Sequence, residues 1–387
     1  MCPAERVSMT SGYPLTRQPI DLGRHLQLKN RVYFAPMGID LGRDGCLTEE
    51  MFGFYRGIID GGCAMVVLAN SAVDASTRLH SGGLCLYDEQ HAECLAPLID
   101  YGRQHACPVV VQLQHYGAQG NRALGGGVLL APSRSAPGKR QPGVRVMTHA
   151  DIRAVCSQFA HAARLARQAG SRAVQLQASN GYLLSSFLSP HTNRRTDRYG
   201  GSPLRRARLL LEVIEAIAEA TQGEVDISVR LGIDDCLGEK GQQPALLEHV
   251  VPALQQAGVS ALMCSAAVRE TFHYMLRADP RVHALLVQGV RHIRELTSLP
   301  VGFAGFTGSL AQAEALLDLG VTDLVGMSRA LFADNDLVNK SLAGKPGSVN
   351  ACRFDGNCFR DKSNPRLDRV YCCVNDKYKR PDSIRYD

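Results

Sequence analysis

The sequence predicts a single (β/α)8 barrel over residues 1–345, followed by a cysteine-containing extension over 346–387. Three observations lead there. Eight short runs rich in Val, Ile and Leu alternate with amphipathic, helix-like stretches. The runs are apolar throughout rather than alternating, as in parallel strands covered on both faces. No Gly-x-Gly-x-x-Gly opens the first helix, which weighs against the rival, an open doubly wound sheet.

In chain order the strand runs are "RVYFAPMG", "AMVVLAN", "PVVVQLQH", "RAVQLQA", "VDISVRLG", "SALMCSA", "LPVGFAGF" and "TDLVGMSR". Helical periodicity fills the gaps, for instance over Asp151–Ala169, Pro203–Ala220, Ala245–Ala257 and Leu310–Leu319. Ala123 to Arg145 reads as a long Gly/Pro-rich loop after the third strand, of the kind that carries function in compact domains.

Composition narrows the class. Hydrophobic content of 45% with 21% charged residues is globular. The net charge of +6 is dispersed among acids, so no nucleic-acid stripe forms. The N-terminus lacks the apolar core of a signal peptide, and no run is long enough to span a membrane. Thirteen cysteines at irregular spacing in so long a chain lead us to expect reduced thiols and a cytoplasmic protein. Homo-oligomer formation is left open.

Chemistry in such a barrel gathers at the C-terminal ends of the strands. The polar residues expected there are Asn70, Ser71, Gln112, Gln114, His115, Gln177, Asn180, Tyr182, Arg230, Cys264 and Arg329. One buried amide satisfies backbone as often as it binds anything. Several, on different strands, suggest a flat ligand with donors and acceptors along its edge. After the last two strands, Gly305, Gly326, Ser328 and Arg329 offer close backbone approach and a cation, an anion site where barrels favour phosphate. A flat, polar-edged, phosphorylated cofactor describes FMN.

Between Leu28 and Asp334, "LKNRVYFAPMG", "VVVQLQHYG", "NGYLLSSFLSPHTNRRTDRYGGSPLRRAR", "VRLG" and "DLVGMSRALFAD" resemble the Old Yellow Enzyme family of FMN-dependent ene-reductases, most of all the N-terminal barrel of 2,4-dienoyl-CoA reductases. The resemblance implies that Ala35, Pro36 and Met37 line the flavin, with Ala69 over its ring. Gln112 would meet the pyrimidine edge, Arg230 the region of N1 and the C2 carbonyl, and Gly305 and Arg329 the phosphate. Tyr182 would donate the proton when hydride reaches an α,β-unsaturated carbonyl compound, with Gln177 and Asn180 as donors to its oxygen. NAD(P)H would be the reductant.

The match has departures. Gln177 stands where the family usually has His, so that position cannot become cationic. His273 is the candidate for a second acid. Gly38 stands where Thr or Cys is common, and Ala118 and Arg205 replace the usual Arg and Asn. In the extension, Cys352, Asp355, Cys358 and Cys372, with Cys373 as a substitute, follow the family's [4Fe–4S] motif with an aspartate in place of one thiolate. No FAD domain follows in this sequence, so the expectation is a weak demand for the cluster, with free thiols or zinc as the alternatives. Two other readings stay open: a flavin-dependent desaturase or isomerase, and a non-catalytic FMN or iron–sulfur electron carrier.

Overall fold

The structure, a computed structural model, describes residues 12–134, 142–359 and 369–381. Eight strands close into a barrel: β1 (Val32–Phe34), β2 (Met65–Ala72), β3 (Val109–Gln114), β4 (Ala173–Ala178), β5 (Asp226–Asp234), β6 (Ala261–Ala266), β7 (Val301–Phe303) and β8 (Leu324–Met327). Every pairing is parallel, and β8 returns to β1 through Val325 opposite Val32 and Met327 opposite Phe34. Each of the eight predicted runs supplies one strand.

The helices outside begin where the sequence provides caps. Thr48, Asp88, Ser202, Asp279 and Ser309 each accept a backbone N–H of the first turn of the following helix. Thr148 and Asp151 form a capping box on helix His149–Gln168. The expected loop of residues 123–145 is partly regular, because Leu129–Ala131 pairs with Val144–Val146. Residues 135–141 within it lie outside the described part.

Alternation along each strand divides the apolar residues into two layers. Tyr33, Met65, Val67, Val110, Met263 and Leu324 fill the barrel, while Val32, Val66, Val111, Val174, Leu262 and Val325 pack beneath the helices. This corrects one sequence expectation. Cys264 follows inward-facing Met263, so it belongs to the outer layer, where burial pushes its thiol up to about 12.

A two-stranded hairpin, Ile20–Asp21 with Gln27–Leu28, plugs the N-terminal mouth of the barrel. Its Leu22, Leu26 and Leu28 join the inner layer. The buried Asp226 carboxylate accepts the backbone N–H groups of Arg24 at 3.0 Å and His25 at 2.8 Å. At the other end of the chain, the extension packs onto the barrel. Tyr378 stacks on Phe332 with centroids 5.2 Å apart, Asn375 donates to the Phe332 carbonyl at 2.9 Å, and Val370 and Cys372 enter the main core.

The expectation of reduced thiols throughout is also corrected. Cys46, in the loop after β1, forms a disulfide with Cys94 on helix Glu89–Gln104. The fold brings their Cα atoms to 5.6 Å, within disulfide range, across a sequence gap that no spacing rule anticipates. No helix among the described residues is long and apolar enough to cross a membrane.

Candidate active site

A cleft opens at the C-terminal ends of the strands. Its polar lining comprises Asn180, Arg230, Ser265, Thr307, Ser328 and Arg329, with the backbone of Gly305 and Gly326. Pro36, Met37, Phe272, Met275, Phe306, Phe354 and Phe359 supply its apolar walls. Gly326 must be glycine, because a Cβ there would lie 2.5 Å from the Tyr33 ring inside the barrel. At Gly305 a Cβ would stand 3.0 Å from Leu286 and Phe303.

Two guanidiniums face this cleft. Arg230 donates to the Pro36 carbonyl at 3.0 Å and to the Ser265 hydroxyl at 3.4 Å. Arg329 donates to the Leu276 carbonyl at 2.7 Å and lies over the rings of Phe354 and Phe306. Burial lowers the pKa of both. Neither forms an ion pair with a carboxylate among the described residues, although a guanidinium stays charged at neutral pH. Ser265, which sequence reading passed over for Cys264, is the inward residue of that pair. The parity of β6, with Met263 inside, was the signal that could have found it.

Deeper in the barrel, Gln112 donates to the Gln175 carbonyl oxygen at 2.7 Å. The Gln112 carbonyl oxygen and the Gln175 amide nitrogen are buried without a hydrogen-bond partner, while the Gln114 amide turns to Tyr182. Ala35 and Ala69 are buried near this layer rather than in the wall of the cleft, and Gly38, half-buried, follows Met37. Gln175, missed in the sequence, was readable as the inward residue two positions before Gln177.

Tyr182 caps helix Leu183–Leu188 and meets Tyr116 edge-on at 5.3 Å. Burial raises its pKa above 10.0, while the Gln114 amide and the Arg230 charge offset this in part. The carbonyl oxygen of Gln177 accepts the Ser179 N–H at 3.2 Å and its hydroxyl at 2.6 Å. That fixes the amide orientation and leaves its NH2 group as the available donor.

Two expected donors are placed otherwise. Asn180 donates to the carbonyls of Ala266 at 3.1 Å and Ala267 at 3.3 Å, and its own oxygen accepts the Ser179 hydroxyl. Its donors tie the loop after β4 to that after β6. His273 is exposed and lies against Tyr274, with ring centroids 4.1 Å apart, while its neighbours Phe272 and Met275 line the cleft. A short 3-10 turn sets which of these residues faces inward, and sequence periodicity does not reach it. His115 is neutral instead of cationic, since burial pulls its pKa down to about 4. Its Nδ1 accepts the Gly117 N–H at 3.0 Å, so Nε2 carries the proton.

In the extension, Cys352, Asp355, Cys358 and Cys372 share one electrostatic neighbourhood with Arg329. Burial keeps the thiols protonated, Cys358 up to about 12 and Cys352 and Cys372 raised in the same sense. Among the described residues no three His, Cys, Asp or Glu side chains converge on one metal position.

The profile of the NADH:flavin oxidoreductase / NADH oxidase family matches residues 17–347. The chain belongs to that family. It is 33% identical to a metal reductase of Desulforamulus reducens over 86% of this chain and 49% of that protein. It is 29% identical to an NADPH dehydrogenase of Bacillus subtilis, over 80% of this chain and 89% of that one. Among solved structures, histamine dehydrogenase from Rhizobium sp. 4-9 superposes with a TM-score of 0.83 at 25% identity, covering 95% of this chain and 53% of that chain. The chain thus spans about half the length of the longer relatives it matches. The family so described is one of flavin-linked oxidoreductases.

Proposed function

We propose that the cleft holds FMN and that the protein passes hydride from NAD(P)H to the C=C bond of a small α,β-unsaturated carbonyl compound. The observation that carries this is the pair of guanidiniums, Arg230 and Arg329, facing one cleft with no carboxylate partner among the described residues. A desolvated cation without a counter-charge is costly, and an anionic ligand removes that cost. FMN fits the rest of the donor set. Arg329, Ser328 and the Gly305 backbone would take the phosphate, and Gly326 keeps the neighbouring barrel wall flat. Pro36 and Met37 would flank the ring system, with Gly38 and Ala69 beside it, and Gln112 has an unpartnered oxygen for the pyrimidine edge. The bound cofactor supplies the hydride chemistry.

The chain's own residues handle charge and proton. Arg230 places a cation where negative charge accumulates on reduction. Tyr182 keeps its proton at neutral pH, because burial disfavours the phenolate, and it delivers that proton from Oη to the substrate's α-carbon. The free NH2 of Gln177 is a preorganised donor for the carbonyl oxygen.

Denaturation tests the cofactor, since it should release FMN with its phosphate intact. Release of FAD or riboflavin would refute the phosphate assignment. Anaerobic mixing with NADH and NADPH tests the direction of the chemistry. Rapid bleaching of the flavin is expected, and its absence would leave the desaturase or isomerase reading in its place.

A further inference from the structure

We infer that the C-terminal extension is a working wall of the cofactor cleft, in which Phe354 positions Arg329 for a phosphate. The inference rests on the FMN reading above and assigns a role to a segment outside the barrel. The Arg329 guanidinium stands 4.8 Å from the centroid of Phe354 and 5.5 Å from that of Phe306. Phe354 comes from the extension and Phe306 from the loop after β7. Their rings meet edge to face at 6.2 Å. The Leu276 carbonyl accepts one N–H of Arg329 at 2.7 Å. A planar cation held against two rings and one carbonyl has its remaining donors on its edge, which is the geometry that recognises phosphate oxygens.

The backbone supports a built device rather than incidental packing. Phe306 and Phe354 both lie in the left-handed region, at φ 51° and 50°. That conformation is unfavourable for a bulky side chain and persists only where surrounding contacts enforce it. The Phe354 N–H donates to the Cys352 sulfur at 3.4 Å, and a Cβ at Gly308 would stand 2.9 Å from the Phe354 ring. Opposite, Phe359 of the extension meets Phe272 at 5.3 Å and lines the same cleft. Phe354 is therefore a positioning residue that acts through Arg329.

The test compares two flavins that differ only in the phosphate. Full-length protein stripped of flavin is titrated with FMN and with riboflavin, and Kd is read from quenching of flavin fluorescence. Phe354→Ala is expected to raise the Kd for FMN roughly tenfold, the scale of one lost cation–π contact and a loosened arginine, with riboflavin unchanged. Phe354→Tyr should restore FMN binding. Phe354→Leu, which keeps the apolar packing and folds if bulk alone matters, should lose FMN affinity in the same selective way. Equal losses for both flavins, or wild-type binding in Phe354→Leu, would overturn the inference. A wild-type protein that does not prefer FMN over riboflavin would overturn the phosphate reading itself, an outcome seen before any variant is made.

Discussion

The two mouths of the barrel are built from the same strands and end in opposite states. At the N-terminal mouth a hairpin fills the opening with Leu22, Leu26 and Leu28, and the buried Asp226 carboxylate accepts two backbone donors. At the C-terminal mouth Gln112 keeps an unpartnered amide oxygen, and Arg230 and Arg329 face a cleft with no ion-pair partner among the described residues. A polar group left unsatisfied in one place, where the same fold satisfies its equivalent in another, marks where a ligand belongs. One mouth serves stability and the other chemistry.

Separate variants can break that contrast. The largest effect is expected from Tyr182→Phe. Reoxidation of the reduced protein by an enone should slow on the order of 10²–10⁴-fold, while flavin reduction by NAD(P)H persists. Stopped-flow measurement of the two half-reactions decides, and equal slowing of both would refute the proton role. The raised pKa gives a pH signature, with the alkaline fall in the enone half-reaction displaced upward from the ordinary tyrosine range.

Next comes His115, whose native pKa of about 4 lies below its ordinary value of 6.5. Below pH 6.5 the unfolded chain takes up a proton that the native state refuses, so stability present above that pH is lost as pH falls towards 4. The loss amounts to about 3 kcal/mol at most. Denaturant titrations from pH 7 to 4 should show it, and the slope should flatten in His115→Gln.

Arg329→Ala should weaken FMN by about 1.5–3 kcal/mol, roughly tenfold or more in Kd, through lost charge-assisted bonds. At the closed mouth, Asp226→Ala should cost about 1–3 kcal/mol of folding stability and leave the Kd for FMN unchanged. A variant that altered flavin affinity from there would erase the contrast between the two ends. Cys352→Ser sits at the bottom of the scale, with no change expected in the rate of flavin reduction, because no three such ligands converge among the described residues. Four irons and four sulfides per chain after anaerobic purification would contradict that expectation.

The barrel was legible because eight apolar runs at regular intervals admit few arrangements, and each run became a strand. Site residues on the strands were legible to within one position. Arg230 lies in the cleft lining and Gln112 in the layer beneath it, but the apolar β6 run hid which of Cys264 and Ser265 faced inward. Residues in loops were less so. His273 sits one place from the lining residue Phe272, and the role of Asn180 depends on carbonyls 86 and 87 residues away. The cysteine pattern foretold neither the Cys46–Cys94 bond nor the burial that keeps the extension's thiols protonated. Such properties arise from neighbours that only the folded chain provides.

The clip made by Asn180 has a mechanical consequence. Asn180 and Ala267 both sit in the left-handed region, at φ 60° and 69°, and the amide of the first grips the carbonyl of the second. Two segments that would otherwise fluctuate separately are thereby yoked, so one rim of the cleft opens only when the other moves with it. Their backbone amides should exchange hydrogen for deuterium as one cooperative unit, faster than the strands and at a common rate.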